Sequence, residues 1–231
     1  MDKKRNIKMM ENAYKIWFTA DIHAFHKNIL KFQKERRETM GVTDDMSDTE
    51  AIEKHNEWIV KMWNMTVNKH DHVYILGDVS FGTPWETAKI LGKLHGKKHL
   101  IIGNHDKSCK GLENYFESVS QIKEFPIKKH QYDFLEENVY FVLCHFPMVA
   151  WNRRLHGAIH LHGHTHNTLD STNKKSGELR VDIGLDSELA NYGLVSLEQV
   201  YKFMKDKIKE KGFTDFERYV EYLTEKLGIS Y

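Results

Sequence analysis

Five short apolar runs, each followed within two residues by Asp, Asn or His, constrain the fold of this chain more than any other feature. They are rich in β-branched and aromatic residues, which is typical of strands buried on both faces. The polar segments between the first three runs predict helices, so the alternation indicates an α/β layered fold. The runs cover residues 15–20, 72–76, 99–102, 139–144 and 158–161.

Helix signals are clearest at two capping boxes. Ser47 with Glu50 precedes an apolar pattern of helical spacing that continues to about Val67, and Ser196 with Gln199 precedes another that ends near Gly212. Further helices are predicted over 85–94 and 215–227. Residues 119–143 look strand-like, and the polar stretch 170–178 is predicted to be a surface loop. We expect one domain over residues 1–231, with C-terminal helices at about 196–231.

Composition excludes several classes of protein. The chain has 231 residues, of which 40% are hydrophobic and 29% charged, and this balance argues against wholesale disorder. A net charge of +1 offers no overall attraction to nucleic acid or anionic membranes. Cys109 and Cys144 lack a CxxC spacing, which favours a reduced protein. The basic start Met1–Arg5 is not followed by the apolar segment of a signal peptide or a membrane span, so we expect a cytoplasmic location.

The polar residues at the run ends are suited to binding metal. In open α/β sheets, ligands bind beyond the carboxyl ends of the strands. Asp21 and His23 are two residues apart, as are His164 and His166, and Gly163 allows a tight backbone path. Carboxylate, amide and imidazole ligands suit Mn²⁺, Fe or Zn²⁺. Two such ions about 3.5–4 Å apart would clamp a phosphate and activate a water.

The ordered set of motifs resembles the calcineurin-like metallophosphoesterase superfamily, and in particular its small bacterial and phage-type phosphoesterases. The resemblance spans about two-thirds of the chain and does not cover the C-terminal helices. It implies a four-layer α/β/β/α sandwich that hydrolyses phosphate esters with a hydroxide activated by two metal ions. The matching blocks are Asp21-x-His23, Gly77-Asp78, Gly103-Asn104-His105-Asp106, His145 and Gly163-His164-x-His166.

The same resemblance implies a role for each site residue. The ions would be Mn²⁺, with Fe, Zn²⁺ and Ni²⁺ as alternatives. His105 would protonate the leaving oxygen or hold the phosphate, and His105 and Asp106 are the candidate catalytic residues. The implied ligands are Asp21, His23 and His166 for the first ion, Asn104, His145 and His164 for the second, and Asp78 as the bridge between them.

Other positions refine the expected substrate. Phosphoprotein phosphatases of the superfamily carry a second Asp shortly after Gly-Asp, whereas this chain continues with residues 79–82, Val-Ser-Phe-Gly. This departure disfavours a protein phosphatase and leaves open what orients His105. His26, Arg153 and Arg154 are candidate substrate contacts, because an arginine can bind phosphate oxygens in pairs.

We therefore expect a metal-dependent phosphoesterase that acts on a phosphodiester or nucleotide-like substrate. A phosphomonoesterase or protein phosphatase, and a nuclease, are the alternatives within the enzyme class. A non-catalytic binding scaffold on the same fold is the alternative of another class. The sequence leaves open the physiological substrate, the native metal and the oligomeric state.

Overall fold

The computed structural model describes residues 14–228. The basic start Met1–Arg5, on which the expected absence of a signal peptide rests, lies outside these residues, as do the last three residues of the predicted C-terminal region. Across the described range, no helix combines the length and the apolar character that crossing a membrane requires. Cys109 and Cys144 are both free thiols.

Two β-sheets form the centre of the fold. The first has five strands in the order β4-β3-β2-β1-β9, parallel except for β9, and the second has four strands in the order β5-β6-β7-β8, parallel except for β5. Within the described residues the strands are β1 (Ile16–Thr19), β2 (His72–Ile75), β3 (Lys97–Ile101), β4 (Ser118–Ser120), β5 (Ile122–Ile127), β6 (Val139–Cys144), β7 (Ile159–His162), β8 (Arg180–Asp182) and β9 (Val195–Ser196).

Helices flank the two sheets. Both capping boxes are confirmed, Ser47–Glu50 at the start of α3 and Ser196–Gln199 at the start of α6. The short α1 and α2 were not predicted, and α4 ends three residues before the expected Leu94. The α-helices of the described part of the chain are α1 (Ile29–Phe32), α2 (Lys34–Thr39), α3 (Asp48–Thr66), α4 (Pro84–Leu91), α5 (Asp170–Ser176), α6 (Leu197–Lys209) and α7 (Phe216–Leu227).

The prediction of a surface loop over residues 170–178 is wrong, because α5 occupies most of this stretch. The polar Asn173 is buried, and its Oδ1 accepts a hydrogen bond from Arg180 Nε at 2.8 Å. Its Nδ2 lies 3.0 Å from His162 Nε2. A polar side chain that bonds inside the protein looks, in sequence, like one that faces solvent, which explains the error.

Alternating side chains of the first sheet enter two different cores. Phe18 and Tyr74 point into the core between the two sheets, which also receives residues of α6 and α7. Val73 and Ile75 point the other way and pack with residues of α3 and α4. The result is a mixed α/β architecture of two face-to-face sheets flanked by helices, as the resemblance implied.

Candidate metal centre

The loops after β1 and β2 hold each other in position at the carboxyl end of the first sheet. Asp21 N donates to Gly77 O at 3.1 Å, and His23 N donates to Asp78 O at 3.0 Å. Asp21, His23 and Asp78 all have left-handed φ angles, between 52° and 55°. Such angles are costly for these residues and persist only where surrounding bonds fix them. The loops therefore present their side chains in one defined arrangement.

Two groups of potential ligand atoms meet at this edge. The first joins Asp21, His23 and His166, and the second joins Asp21, Asp78 and His145, with the ligand atoms of each group within 4.8 Å of one another. Asp21 belongs to both groups, and Asp78 of the second group also approaches the first. Its Oδ2 is 3.8 Å from His23 Nε2, and its Oδ1 is 3.6 Å from His145 Nε2.

Buried polar atoms without partners indicate that a cation fits here. Asp21 Oδ1 and both ring nitrogens of His23 are buried and have no hydrogen-bond partner. Burial raises the pKa of Asp21 well above its usual range and lowers the pKa of His23, because it penalises the charged form of each group. A divalent cation between them would satisfy the carboxylate and the imidazole together, and the donor set suits one.

The second group is extended by Asn104 and ordered by the backbone. His145 Nδ1 lies 2.7 Å from Leu76 O, which directs Nε2 to the site. Nε2 lies 2.9 Å from Asn104 Oδ1. His164 contacts this site mainly through its backbone, whose N donates to Asp21 Oδ2 at 2.9 Å. The centre of its ring lies 5.1 Å from that of the His145 ring. Five of the seven expected ligands thus belong to the two groups and Asn104 contacts His145, whereas the His164 ring belongs to neither group and its role as a ligand stays a prediction.

Two residues that sequence reasoning missed support the first group. His166 Nδ1 lies 2.6 Å from Asp186 Oδ2, and the fully buried Arg36 binds both oxygens of Asp186 at 2.6 and 2.7 Å. Burial alone would lower the pKa of His166 and raise that of Asp186. The bond between them opposes both shifts, and with the added charge of Asp21 near His166 and of Arg36 near Asp186 the pKa of His166 is raised and that of Asp186 is lowered. We name this chain of contacts the Arg36–Asp186–His166 relay.

The Asp106 carboxylate bonds to the backbone around the bridging position. It accepts hydrogen bonds from Gly103 N, Val79 N and Asp78 N at 2.7, 2.8 and 3.0 Å. Burial raises the pKa of Asp106, although these bonds oppose the shift. The contacts favour a positioning role for Asp106, and the catalytic role expected from the sequence stays a prediction.

His105 and His26 line the open side of the cluster together with Phe81. His105 is exposed, and its backbone N donates to Asp78 Oδ1 at 2.9 Å. The Phe81 ring lies 4.6 Å from the His105 ring and 3.8 Å from the His26 ring, centroid to centroid. The expected substrate contact His26 and the expected catalytic residue His105 thus contact the same aromatic ring.

The two arginines proposed as substrate contacts make other bonds. Arg154 forms a paired ion contact with Glu178, in which Nε lies 2.9 Å from Oε2. The Arg153 guanidinium lies 5.0 Å from the centre of the Tyr140 ring. These contacts do not link either residue to the ligand groups, so their role in substrate binding stays a prediction.

Two face-to-face sheets with Asp, His and Asn side chains clustered at their strand ends are the arrangement expected of a metal-dependent hydrolase. The chain belongs to the calcineurin-like phosphoesterase family, whose sequence profile matches residues 14–168. Membership shows a metal-dependent phosphoesterase in general terms. It also shows that the sequence motifs identified the right family.

Relatives cover most of the chain. The Gene 66 protein of Mycobacterium phage L5 is 29% identical over 85% of this chain and 97% of its own length. The uncharacterised protein MJ1445 of Methanocaldococcus jannaschii is 28% identical over 83% of this chain and 92% of its own. A protein of unknown function from Aquifex aeolicus, AQ665, has a similar solved structure, with a TM-score of 0.59 and 20% identity over 82% of this chain and 99% of its own. That likeness supports the fold.

Proposed function

We propose that this protein hydrolyses a phosphodiester or nucleotide-like phosphate ester with the help of two divalent cations. The observation that carries the proposal is the position of Asp78, whose two oxygens face His23 on one side and His145 on the other. One carboxylate between two groups of ligands is the arrangement that a pair of ions requires. When bound, such ions neutralise phosphate charge and make a water acidic enough to attack.

The first ion would be held by Asp21, His23 and His166, and the second by Asn104, His145 and His164, with Asp78 shared. Mn²⁺ is the proposed native ion, because carboxylate, amide oxygen and imidazole together suit it. Fe, Zn²⁺ and Ni²⁺ are compatible with the same donors and are the alternatives.

His105 is the proposed proton donor to the leaving oxygen. Its exposed ring lies at the open side of the cluster, and its backbone bond to Asp78 Oδ1 holds it close to the bridging position. Removing a general acid of this kind costs about 10²–10⁴-fold in rate. A protein phosphatase is disfavoured because residues 79–82, Val-Ser-Phe-Gly, lack the second Asp that those enzymes carry shortly after Gly-Asp.

The test combines metal analysis with turnover. We expect the purified protein to bind two Mn²⁺ per chain and to hydrolyse bis-p-nitrophenyl phosphate faster than p-nitrophenyl phosphate. A general acid matters most where the leaving group is an alkoxide, as in a 2′,3′-cyclic nucleotide. On such a diester His105→Ala should lose about 10²–10⁴-fold in kcat, whereas His130→Ala, which changes an exposed histidine of a surface turn, should not. A protein that binds no metal, with turnover unchanged in His105→Ala, would instead be a binding scaffold.

A further inference from the structure

An exposed aromatic ring stands at the open side of the metal centre. Phe81 has 38% of its surface exposed, although an apolar ring gains stability by being buried. It comes three residues after Asp78, so the loop that carries the bridging carboxylate also carries this ring. Ligand sites combine aromatic side chains with a few polar groups, so a ring in this position can line one.

The backbone of Phe81 is fixed before any ligand arrives. Phe81 N donates to Ala24 O at 2.8 Å, and Ala24 N donates to Val79 O at 3.0 Å. The next residue leaves little room for movement, because a Cβ on Gly82 would lie 2.8 Å from the Phe25 ring. A ring on such a rigid loop can bind a ligand at a low cost in conformational entropy.

The neighbours of Phe81 are rings of the site. His26 lies parallel to it, with an interplanar angle of 8° and a centroid distance of 3.8 Å. His105 lies 4.6 Å away and the metal ligand His23 lies 5.1 Å away. Phe81 and His26 therefore form a parallel stacked pair. The Phe81 ring of this pair also contacts the expected proton donor His105 and the expected ligand His23.

A second exposed phenylalanine at the site is arranged differently. Phe146 is 44% exposed, but its ring meets those of His145 and His164 edge-on, at 77° and 64°. Such edge contacts support the two imidazoles from the side. Phe146 therefore meets the imidazoles beside it only edge-on, whereas Phe81 lies nearly parallel to its neighbours, at 8° to His26 and 23° to His23.

We propose that Phe81, backed by His26, binds the planar aromatic base of a nucleotide-like substrate whose phosphate lies at the metal centre. The inference rests on the proposed function and deepens it by assigning a subsite for the base. Any nucleobase has a π-face, so the subsite selects a base over no base and discriminates weakly between bases. Stacking of one base on an aromatic side chain corresponds to about 5- to 100-fold in affinity.

The test measures binding of two probes to the Mn²⁺-loaded protein by calorimetry at low temperature. Adenosine 5′-monophosphate and ribose 5-phosphate share the phosphate and the sugar, so the ratio of their dissociation constants isolates the base. An assay of free phosphate afterwards checks that the probes stayed intact. We expect adenosine 5′-monophosphate to bind about 5- to 100-fold more tightly to the unaltered protein.

Phe81→Leu should bring this ratio close to one while leaving the affinity for ribose 5-phosphate and the Mn²⁺ stoichiometry unchanged. Phe146→Leu is the matched control, the same change in another exposed phenylalanine of the site, and should keep the ratio. Equal binding of both probes by the unaltered protein, or a ratio lost only in Phe146→Leu, would overturn the base subsite alone. If neither probe binds and no phosphodiester is hydrolysed, the proposed function falls together with it.

Discussion

Asp186 contacts the ring of His166, one of the three residues proposed to hold the first ion. A carboxylate that accepts from Nδ1 fixes the ring orientation and makes Nε2 a stronger ligand. Arg36 holds Asp186 in turn, and its Nη2 also donates to Asp21 O at 2.9 Å, so one buried guanidinium touches the backbone of the ligand loop. The relay therefore connects α2 to two of the three residues expected to hold the first ion.

Asp186→Asn tests the relay at the scale of a single residue. The change keeps the shape of the side chain but removes its charge, so we expect metal affinity to fall about 10- to 100-fold. Chelator competition would measure it. The buried Arg36 charge also loses its partner, which costs about 3–5 kcal/mol of unfolding free energy.

Asp71→Asn is the matched control for that loss of stability. Asp71 is buried, accepts from Lys15 N and Trp17 Nε1 at 2.9 and 3.0 Å, and lies at the opposite end of the first sheet. Asp71→Asn should lower the free energy of unfolding and leave metal affinity unchanged. Equal metal affinity in Asp186→Asn and the unaltered protein would contradict a role for the relay.

The buried side chain of His55 should make the stability of the fold depend on pH. It is fully buried in α3, neither ring nitrogen has a partner, and burial together with Arg36 lowers its pKa from the usual 6.5 to about 3. As the pH falls from 6.5 to 3, the unfolded chain takes up a proton there and the folded protein does not. Stability is therefore lost over this window.

His55→Leu should remove this contribution. We expect the variant to be about 1–3 kcal/mol more stable at pH 7, because two unpartnered polar atoms are gone. Its advantage should grow as the pH falls to 4. Urea unfolding at several pH values measures both effects, and the exposed His130→Leu serves as the control. A constant difference between the variant and the unaltered protein at all pH values would argue against the buried neutral imidazole.

At the scale of elements, the turns after the strands need small residues because ligand side chains crowd against them. A Cβ on Gly163 would lie 2.5 Å from both Asp21 Oδ2 and the Ala20 side chain. Gly163→Ala should therefore displace the Asp21 carboxylate, reduce metal affinity, and cost about 1–3 kcal/mol of stability through overpacking. Calorimetric titration with Mn²⁺ measures the loss of affinity.

Gly193→Ala is the comparison for that change. A Cβ there would meet only Ala190 O at 3.4 Å, an ordinary contact. Metal affinity should match that of the unaltered protein. If both alanine variants bind Mn²⁺ equally well, the turn after β7 does not restrict the site.

The strands and their polar ends could be read from the sequence because both features are local. Apolar runs indicate buried strands, and Asp21, Asp78 and Asn104 directly follow parallel strands that end at one edge. Arg36 carried no such signal, because nothing in the sequence distinguishes it from the other basic residues among the 34 lysines and arginines. Only the packing of α2 against the ligand loop shows that Arg36 is buried. Asp186 follows a strand of only three residues, and the exposure of Phe81 depends on contacts between two loops.

At the scale of the whole molecule, each of the two sheets supplies some of the residues proposed to bind the ions. Asp21, Asp78 and Asn104 follow strands of the first sheet. His145 follows β6, and His164 and His166 follow β7, so the imidazoles at these positions come from the second sheet. The full set of proposed ligands is therefore brought together only while the sheets are packed against each other.

This division makes thermal stability a readout of metal occupancy. A ligand that binds only the folded chain stabilises it by mass action, so each tenfold rise in free Mn²⁺ above the dissociation constant should add about 1.4 kcal/mol per ion bound. Thermal unfolding in buffered Mn²⁺ should thus show a midpoint that rises with concentration and falls on chelation. An unchanged midpoint would mean that no ion joins the two sheets. The same coupling would make the supply of metal, as well as the sequence, a determinant of how long the protein persists in its folded form.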